Sequence, residues 1–296
     1  MTPPMFATYF KLVASMALWG GTWVAGRVLA QSLHPLPAAF LRFTLASVIL
    51  MLACRRIQGR FPRLEPRRIP GLLFLGATGV FLYSYCFFLG LQTMTASRAV
   101  LIVACIPVCI ALCSAAIFRE RLGPQRIAGA LVSLSGVFVV IADGSPMALL
   151  ATGSGFGAGD ALILGCVASW TAYSVAGKAI MRDMSPLTAV TWSCVFGALL
   201  LFFPALFSEL VPDISRAGWL DWVCLAYLGV LATSYAFVWY YQAISIIGPA
   251  RSGVFINLVP VFAVILGFLL LGETLHLSVL AGGAMVVLGV WLTNRA

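Results

Sequence analysis

The sequence predicts an all-α integral membrane protein: ten transmembrane helices, arranged as two five-helix halves that enter the membrane from opposite sides. Three observations carry that prediction. The composition is 62% hydrophobic and only 9% charged, with a mean hydropathy of +1.05, whereas a soluble domain carries roughly 25% charge. Ten charge-free runs are long enough, with their flanking turns, to supply spanning helices of about 17–25 residues. The second half of the chain also repeats residues of the first in unbroken order.

The first run, residues 12–26, follows a single Lys11. No small-x-small cleavage pattern appears before Pro35, so it reads as a retained helix rather than a signal peptide. Residues 43–54 supply the second span, followed by 55–68, the longest polar stretch of the chain. Runs 71–97, 99–118 and 127–142 complete the first half. Runs 161–177, 184–208, 222–250, 252–272 and 274–294 form the second.

Charge assigns the orientation. Lys11, the arginines between Arg55 and Arg68, Arg119, Arg121, Arg126, Lys178, Arg182 and Arg295 fall at the termini or in alternate loops. The other loops hold Asp143, Glu209, Asp213 and Glu273, with Arg216 as their clearest cation. Basic residues near helix ends stay cytoplasmic, so both termini are expected on the cytoplasmic side of a bacterial inner membrane. That requires an even number of spans. The net charge of +9 is then a topology signal rather than a nucleic-acid surface.

The repeat sets the domain boundaries. Trp19 followed by Val24-Ala25-Gly26-Arg27 recurs as Trp170 followed by Val175-Ala176-Gly177-Lys178, and Pro35-Leu36 as Pro186-Leu187. Further on, Gly79-Val80, Ser84-Tyr85 and Gln92 recur as Gly229-Val230, Ser234-Tyr235 and Gln242. Pro107, Glu120, Gly129 and Gly136 recur as Pro260, Glu273, Gly282 and Gly289. The expected division is an N-terminal repeat (1–143), an extracytoplasmic linker (144–158) and a C-terminal repeat (159–296). Each half holds an odd number of spans, so the second is inverted, an arrangement that lets two halves exchange roles in a transporter. The linker's Gly153-Ser-Gly155-Phe-Gly-Ala158 imitates a dinucleotide-binding string but lacks the preceding strand that such a loop needs.

These residues resemble the EamA branch of the drug/metabolite transporter superfamily. The resemblance is carried by Leu18-Trp19-Gly20-Gly21-Thr22-Trp23, by residues 35–42 entering the second helix, and by the paired Glu120-Arg-Leu and Glu273-Thr-Leu segments with the glycines that follow them. The aromatic-rich first and third helices look most like YddG-type amino-acid exporters. The resemblance implies that helices one to four and six to nine surround a central cavity, with five and ten outside it.

Candidate cavity residues come from mid-span polar and aromatic stripes. Trp19, Thr22 and Trp23 mark the first helix, with Trp170 and Tyr173 as their counterparts in the sixth. Tyr85, Phe88 and Gln92 form a stripe in the third helix, and Tyr235, Trp239 and Gln242 form its partner in the eighth. Aromatic bodies with polar tips suit a small amphipathic solute, and they suit ordinary helix packing equally well. Arg42 lies seven residues past Pro35, roughly 10 Å into the membrane at 1.5 Å per residue. A charge at that depth faces a cavity or a partner, or it snorkels to the headgroups. Its repeat counterpart is the neutral Ser193. Glu120 and Glu273, just before matched helices, read as complements to helix dipoles. Pro107 and Pro260 are expected to kink the fourth and ninth helices.

No Asp or Glu falls at mid-membrane, which disfavours an exporter of organic cations. Cys105, Cys109 and Cys113 share a helical face, but with no His or carboxylate nearby they read as small apolar residues. The reading is therefore a carrier for small neutral metabolites, amino acids first, with a small-molecule substrate and membrane lipid as its partners and no metal, cofactor or nucleic acid. Sugar-linked, nucleobase-like or lipid-linked cargo is the alternative; an intramembrane enzyme or a channel is the competing class.

Overall fold

The computed structural model describes residues 5–29, 32–93, 102–119, 123–142, 157–271 and 277–295. Glu120, Glu273 and residues 143–156 lie outside them. Among the described residues every regular element is helical. The first half comprises α1 (Met5–Leu29), α2 (Pro35–Gln58), α3 (Ile69–Gly76), α4 (Tyr83–Thr93), α5 (Ile106–Phe118) and α6 (Pro124–Ala142). The second comprises α7 (Ala158–Ile180), α8 (Pro186–Leu206), the short α9 (Leu210–Arg216), α10 (Trp219–Ala226), α11 (Ala236–Ile247), α12 (Pro249–Val254), α13 (Leu258–Leu271) and α14 (Leu277–Arg295). Six stretches are long and apolar enough to cross a membrane, and two shorter helices, Ile106–Phe118 and Leu280–Thr293, are also apolar. The chain is a multi-pass membrane protein.

The helix boundaries follow from local chemistry. Proline opens α2, α8 and α12, where its missing N–H has no helical partner to lose. Ser185 accepts the Thr188 N–H at 3.2 Å. Asp160 and Asp221 reach back to the N–H groups of Gly157 and Gly218 at 2.9 and 2.8 Å. These two carboxylates are buried, and each sits at a positive helix end that it complements. Gly59 ends α2 at φ 71°, a left-handed conformation that glycine adopts without penalty.

Two long stretches are not uniform. A π-helical segment (Ala77–Leu82) joins α3 to α4, and another (Tyr227–Tyr235) joins α10 to α11. They fall at matched positions of the sequence repeat. Hydropathy does not register them, because an extra residue per turn leaves the apolar content unchanged. Similarly, a turn at Ala104–Cys105 precedes α5, and a 3-10 turn (Phe255–Asn257) separates α12 from α13.

Packing interleaves the two halves. α2 runs along α8, and α6 along α14. The remaining main contacts come in pairs: α1 meets α13 as α7 meets α5, and α1 meets α11 as α7 meets α4. Likewise the second π segment rests on α2 as the first rests on α8. The α6–α14 contact is backbone-close. A Cβ on Gly136 would lie 2.6 Å from the Gly282 carbonyl oxygen and 2.7 Å from the Val286 nitrogen, the small-residue contact that substitutes for hydrophobic driving force in lipid.

The loops form two chemically distinct ends. At one, Gln58 bonds Ser185 and Thr188 at 3.1 and 3.2 Å, and Arg68 donates to the Asp183 carbonyl. This end carries the arginines between Arg55 and Arg68. At the other, the His34 N–H donates to Asp213 at 2.6 Å, and Ser32 bonds Asp221. That end is acidic.

Candidate substrate cavity

A cavity of about 150 Å³ opens inside the bundle, lined from α1, α2, the first π segment, α4, α7, α11 and the broken fourth and ninth stretches. Among the sequence candidates, Trp19, Thr22, Arg42, Phe88, Trp170 and Pro260 line it.

Its aromatic wall is built from both halves. Trp19 and Trp170 meet edge to face, and Phe237 lies 5.7 and 5.4 Å from their respective ring centroids. Tyr83 packs on Trp170 at 5.3 Å. Trp19 also donates its indole N–H to the Ala232 carbonyl at 2.9 Å, which holds α1 against the second π segment. Thr22 donates to the Trp19 carbonyl at 2.6 Å. Tyr173 lies just behind the cavity, fully buried, stacked on Tyr241 at 4.7 Å and within hydrogen-bond reach of Ser193. Gly79 lines the cavity, and only glycine fits there because a Cβ would run into the Tyr173 ring.

Arg42 supplies the charge. Its Nε donates to Thr233 Oγ1 at 2.8 Å, and its guanidinium carbon lies 4.9 Å from the Phe43 ring centroid. Thr233 belongs to the second π segment, so the irregular turn presents the oxygen that orients the cation. Among the described residues, Arg42 has no carboxylate partner, and no other charged side chain lines the cavity.

The broken helices place backbone at the cavity. Pro107 is the second residue of α5, and Pro260 the third of α13. Neither can donate to the carbonyl four residues earlier, on Val103 and Ile256, and both of those residues line the cavity. Non-helical backbone at membrane depth is tolerated where it lines such a space. The prolines thus follow breaks at helix starts instead of bending continuous helices.

Other candidates sit elsewhere. Tyr85 and Tyr235 are 36% and 50% exposed, away from the lining, and Trp239 packs edge-on against Tyr235. The inward face instead carries Tyr83, Ser84, Phe87 and Phe88 in α4, and Phe237 in α11. Helical spacing gives the interval between such residues but not which face turns inward: Phe88 of the sequence stripe lines the cavity, while Tyr85 of the same stripe does not. Gln242 accepts a hydrogen bond from Lys11 at 3.1 Å rather than lining the cavity. The side chains of Trp23 and Gln92 lie outside the described residues. Asn257 went unread: it lines the cavity from the 3-10 turn, and its signal was a lone amide in an otherwise apolar run.

A multi-pass bundle, helical throughout its described residues, whose broken helices enclose a largely aromatic cavity holding one cation has the architecture of a membrane transporter. The chain belongs to the EamA-like transporter family, within the drug/metabolite transporter superfamily; the family model matches residues 7–142 and 157–295. A Bacillus subtilis protein named "Uncharacterized transporter YetK" is 29% identical over 96% of this chain and 86% of its own. A Streptantibioticus cattleyicolor "Probable terminal-alkyne amino-acid exporter" is 28% identical over 97% of this chain and 93% of its own. A Pseudomonas aeruginosa "Probable biotin transporter" is 28% identical, covering 94% of both chains. A solved crystal structure shares the fold at a TM-score of 0.79, with 22% identity over 98% of each chain.

Proposed function

We propose that this transporter is a secondary carrier that exports small zwitterionic metabolites, amino acids first, across the bacterial inner membrane by alternating access. Arg42 carries the proposal: one guanidinium enters an aromatic cavity to which no described residue supplies a carboxylate. A guanidinium fork matches a substrate carboxylate in two-pronged geometry. The cavity of about 150 Å³ falls below the roughly 300–1,000 Å³ of drug-sized sites, which favours a small solute. The relative named as an amino-acid exporter points the same way.

The paired packing supports ten spans in two inverted halves. Contacts of α1 with α11 and α13 are mirrored by those of α7 with α4 and α5, so exchanging the halves exchanges the contacts. That is the geometry in which one repeat rocks against the other around a central site. The Arg55–Arg68 end is the cytoplasmic one on charge.

The test is counterflow in proteoliposomes with radiolabelled L-leucine and L-phenylalanine against a panel of amino acids, biotin, sugars and nucleobases. Saturable exchange, accelerated by amino acid on the opposite side, is expected. Exchange of a sugar or nucleobase with none of any amino acid overturns the substrate class, and non-saturable flux overturns the carrier.

A further inference from the structure

We propose that Asn257 recognises the donor end of the substrate, its side-chain oxygen accepting a hydrogen bond from the α-ammonium group while Arg42 holds the carboxylate. The inference rests on the amino-acid reading above and deepens it.

Asn257 is 2% exposed and lines the cavity from the 3-10 turn between α12 and α13. Its amide nitrogen donates to Ser133 Oγ of α6 at 2.9 Å, which anchors the head group and leaves the oxygen unused. That oxygen is buried and has no hydrogen-bond partner. Leaving a buried acceptor unmet is costly, so natural structures rarely do it without a functional reason. Of the buried unpartnered side-chain atoms among the described residues, only this one belongs to a cavity-lining residue.

The repeat makes the site one-sided. Asn257 matches Ala104, and Arg42 matches Ser193. Ala104 lines the same cavity with a side chain that has no acceptor. The cavity lining therefore combines one cation with one amide whose side-chain oxygen has no partner, in an aromatic surround, the complement of a zwitterion. A carboxylic acid without an amino group would leave the Asn257 oxygen unmet, and a buried polar group left unpaired is how such sites reject an analogue.

The experiment measures binding of L-leucine and of 4-methylpentanoate, the same molecule without its amino group, to the purified full-length protein. Leucine should bind about ten- to a hundredfold more tightly, the range for a hydrogen bond to a charged group. Asn257→Leu should bring the ratio to near one. Ser133→Ala, which removes the anchor but leaves the acceptor, should retain a clear preference. Asn257→Asp keeps an oxygen in place and should hold the ratio at or above that of the unmodified protein; it decides the matter where the Leu variant fails to fold. Equal binding of both acids by the unmodified protein overturns the inference alone, as does an unchanged ratio in Asn257→Leu or a lost one in Asn257→Asp. Failure of the unmodified protein to bind any amino acid overturns the amino-acid reading and this inference together.

Discussion

Trp19 and Trp170 meet edge to face beside the cavity, their ring centroids 5.3 Å apart and their planes at 86°. They occupy matched positions of the internal repeat, so each half contributes one indole to a shared wall. Tyr240 closes the cluster at 5.3 Å from Trp19 and 6.0 Å from Trp170. The two indoles are not equivalent, because Trp19 also holds the Ala232 carbonyl of the opposite half. One ring therefore shapes the cavity and joins the halves at once.

Trp19→Phe keeps an aromatic ring near Trp170 and deletes the N–H to Ala232. It should lower stability by about 0.5–1.5 kcal/mol, read as a fall in Tm, with transport retained. Trp19→Ala or Trp170→Ala removes a cavity wall, and substrate affinity should drop at least several-fold in the protein that still folds. Affinity unchanged in that folded fraction would reduce the pair to packing.

Arg42 is tested by the preference for L-leucine over L-leucinamide in proteoliposomes. Arg42→Lys should weaken leucine transport because a point charge replaces a fork, and Arg42→Gln should weaken it further and erase most of the acid-over-amide preference. Thr233→Val, which removes the oxygen bonded to Nε, should produce a smaller loss of the same kind. An unchanged acid-to-amide ratio in Arg42→Gln would leave the residue a structural role only.

Side-specific labelling of single cysteines checks the two loop ends, in a background where the eight native cysteines have been replaced. A cysteine at exposed Arg60 should react from the cytoplasm, and one at exposed Ser215 from the outside. Reaction of both from one side would contradict the inverted arrangement.

Gly136→Ala places a methyl group against the Gly282 carbonyl. Overpacking of this kind costs typically 1–3 kcal/mol, so the folded yield and Tm should fall. Substrate affinity of the surviving protein should fall much less than in the cavity-wall variants, because no described residue of α6 or α14 lines the cavity and α6 reaches the site only through the Ser133 bond to Asn257. A loss as large as in those variants would show that the α6–α14 pair acts on the site.

Membrane class, helix count and the division into halves were expected from the sequence because they rest on one-dimensional quantities: hydropathy, charge placement and repeated residues. Trp19, Trp170 and Arg42 stood out for similar reasons, as large or charged groups in mid-span. Which face of each helix turns inward was decided only by the tertiary structure. Helical periodicity leaves that phase open, and in the structure Tyr83 and Phe237 line the cavity while Tyr85 and Tyr235 face away. Asn257 depended still more on the fold: only when α6 supplies Ser133 to one side of its amide does the other side emerge as a free acceptor. Hydropathy is a sum over residues and survives any rotation of a helix, whereas a binding site depends on the direction each side chain takes, which neighbouring helices set.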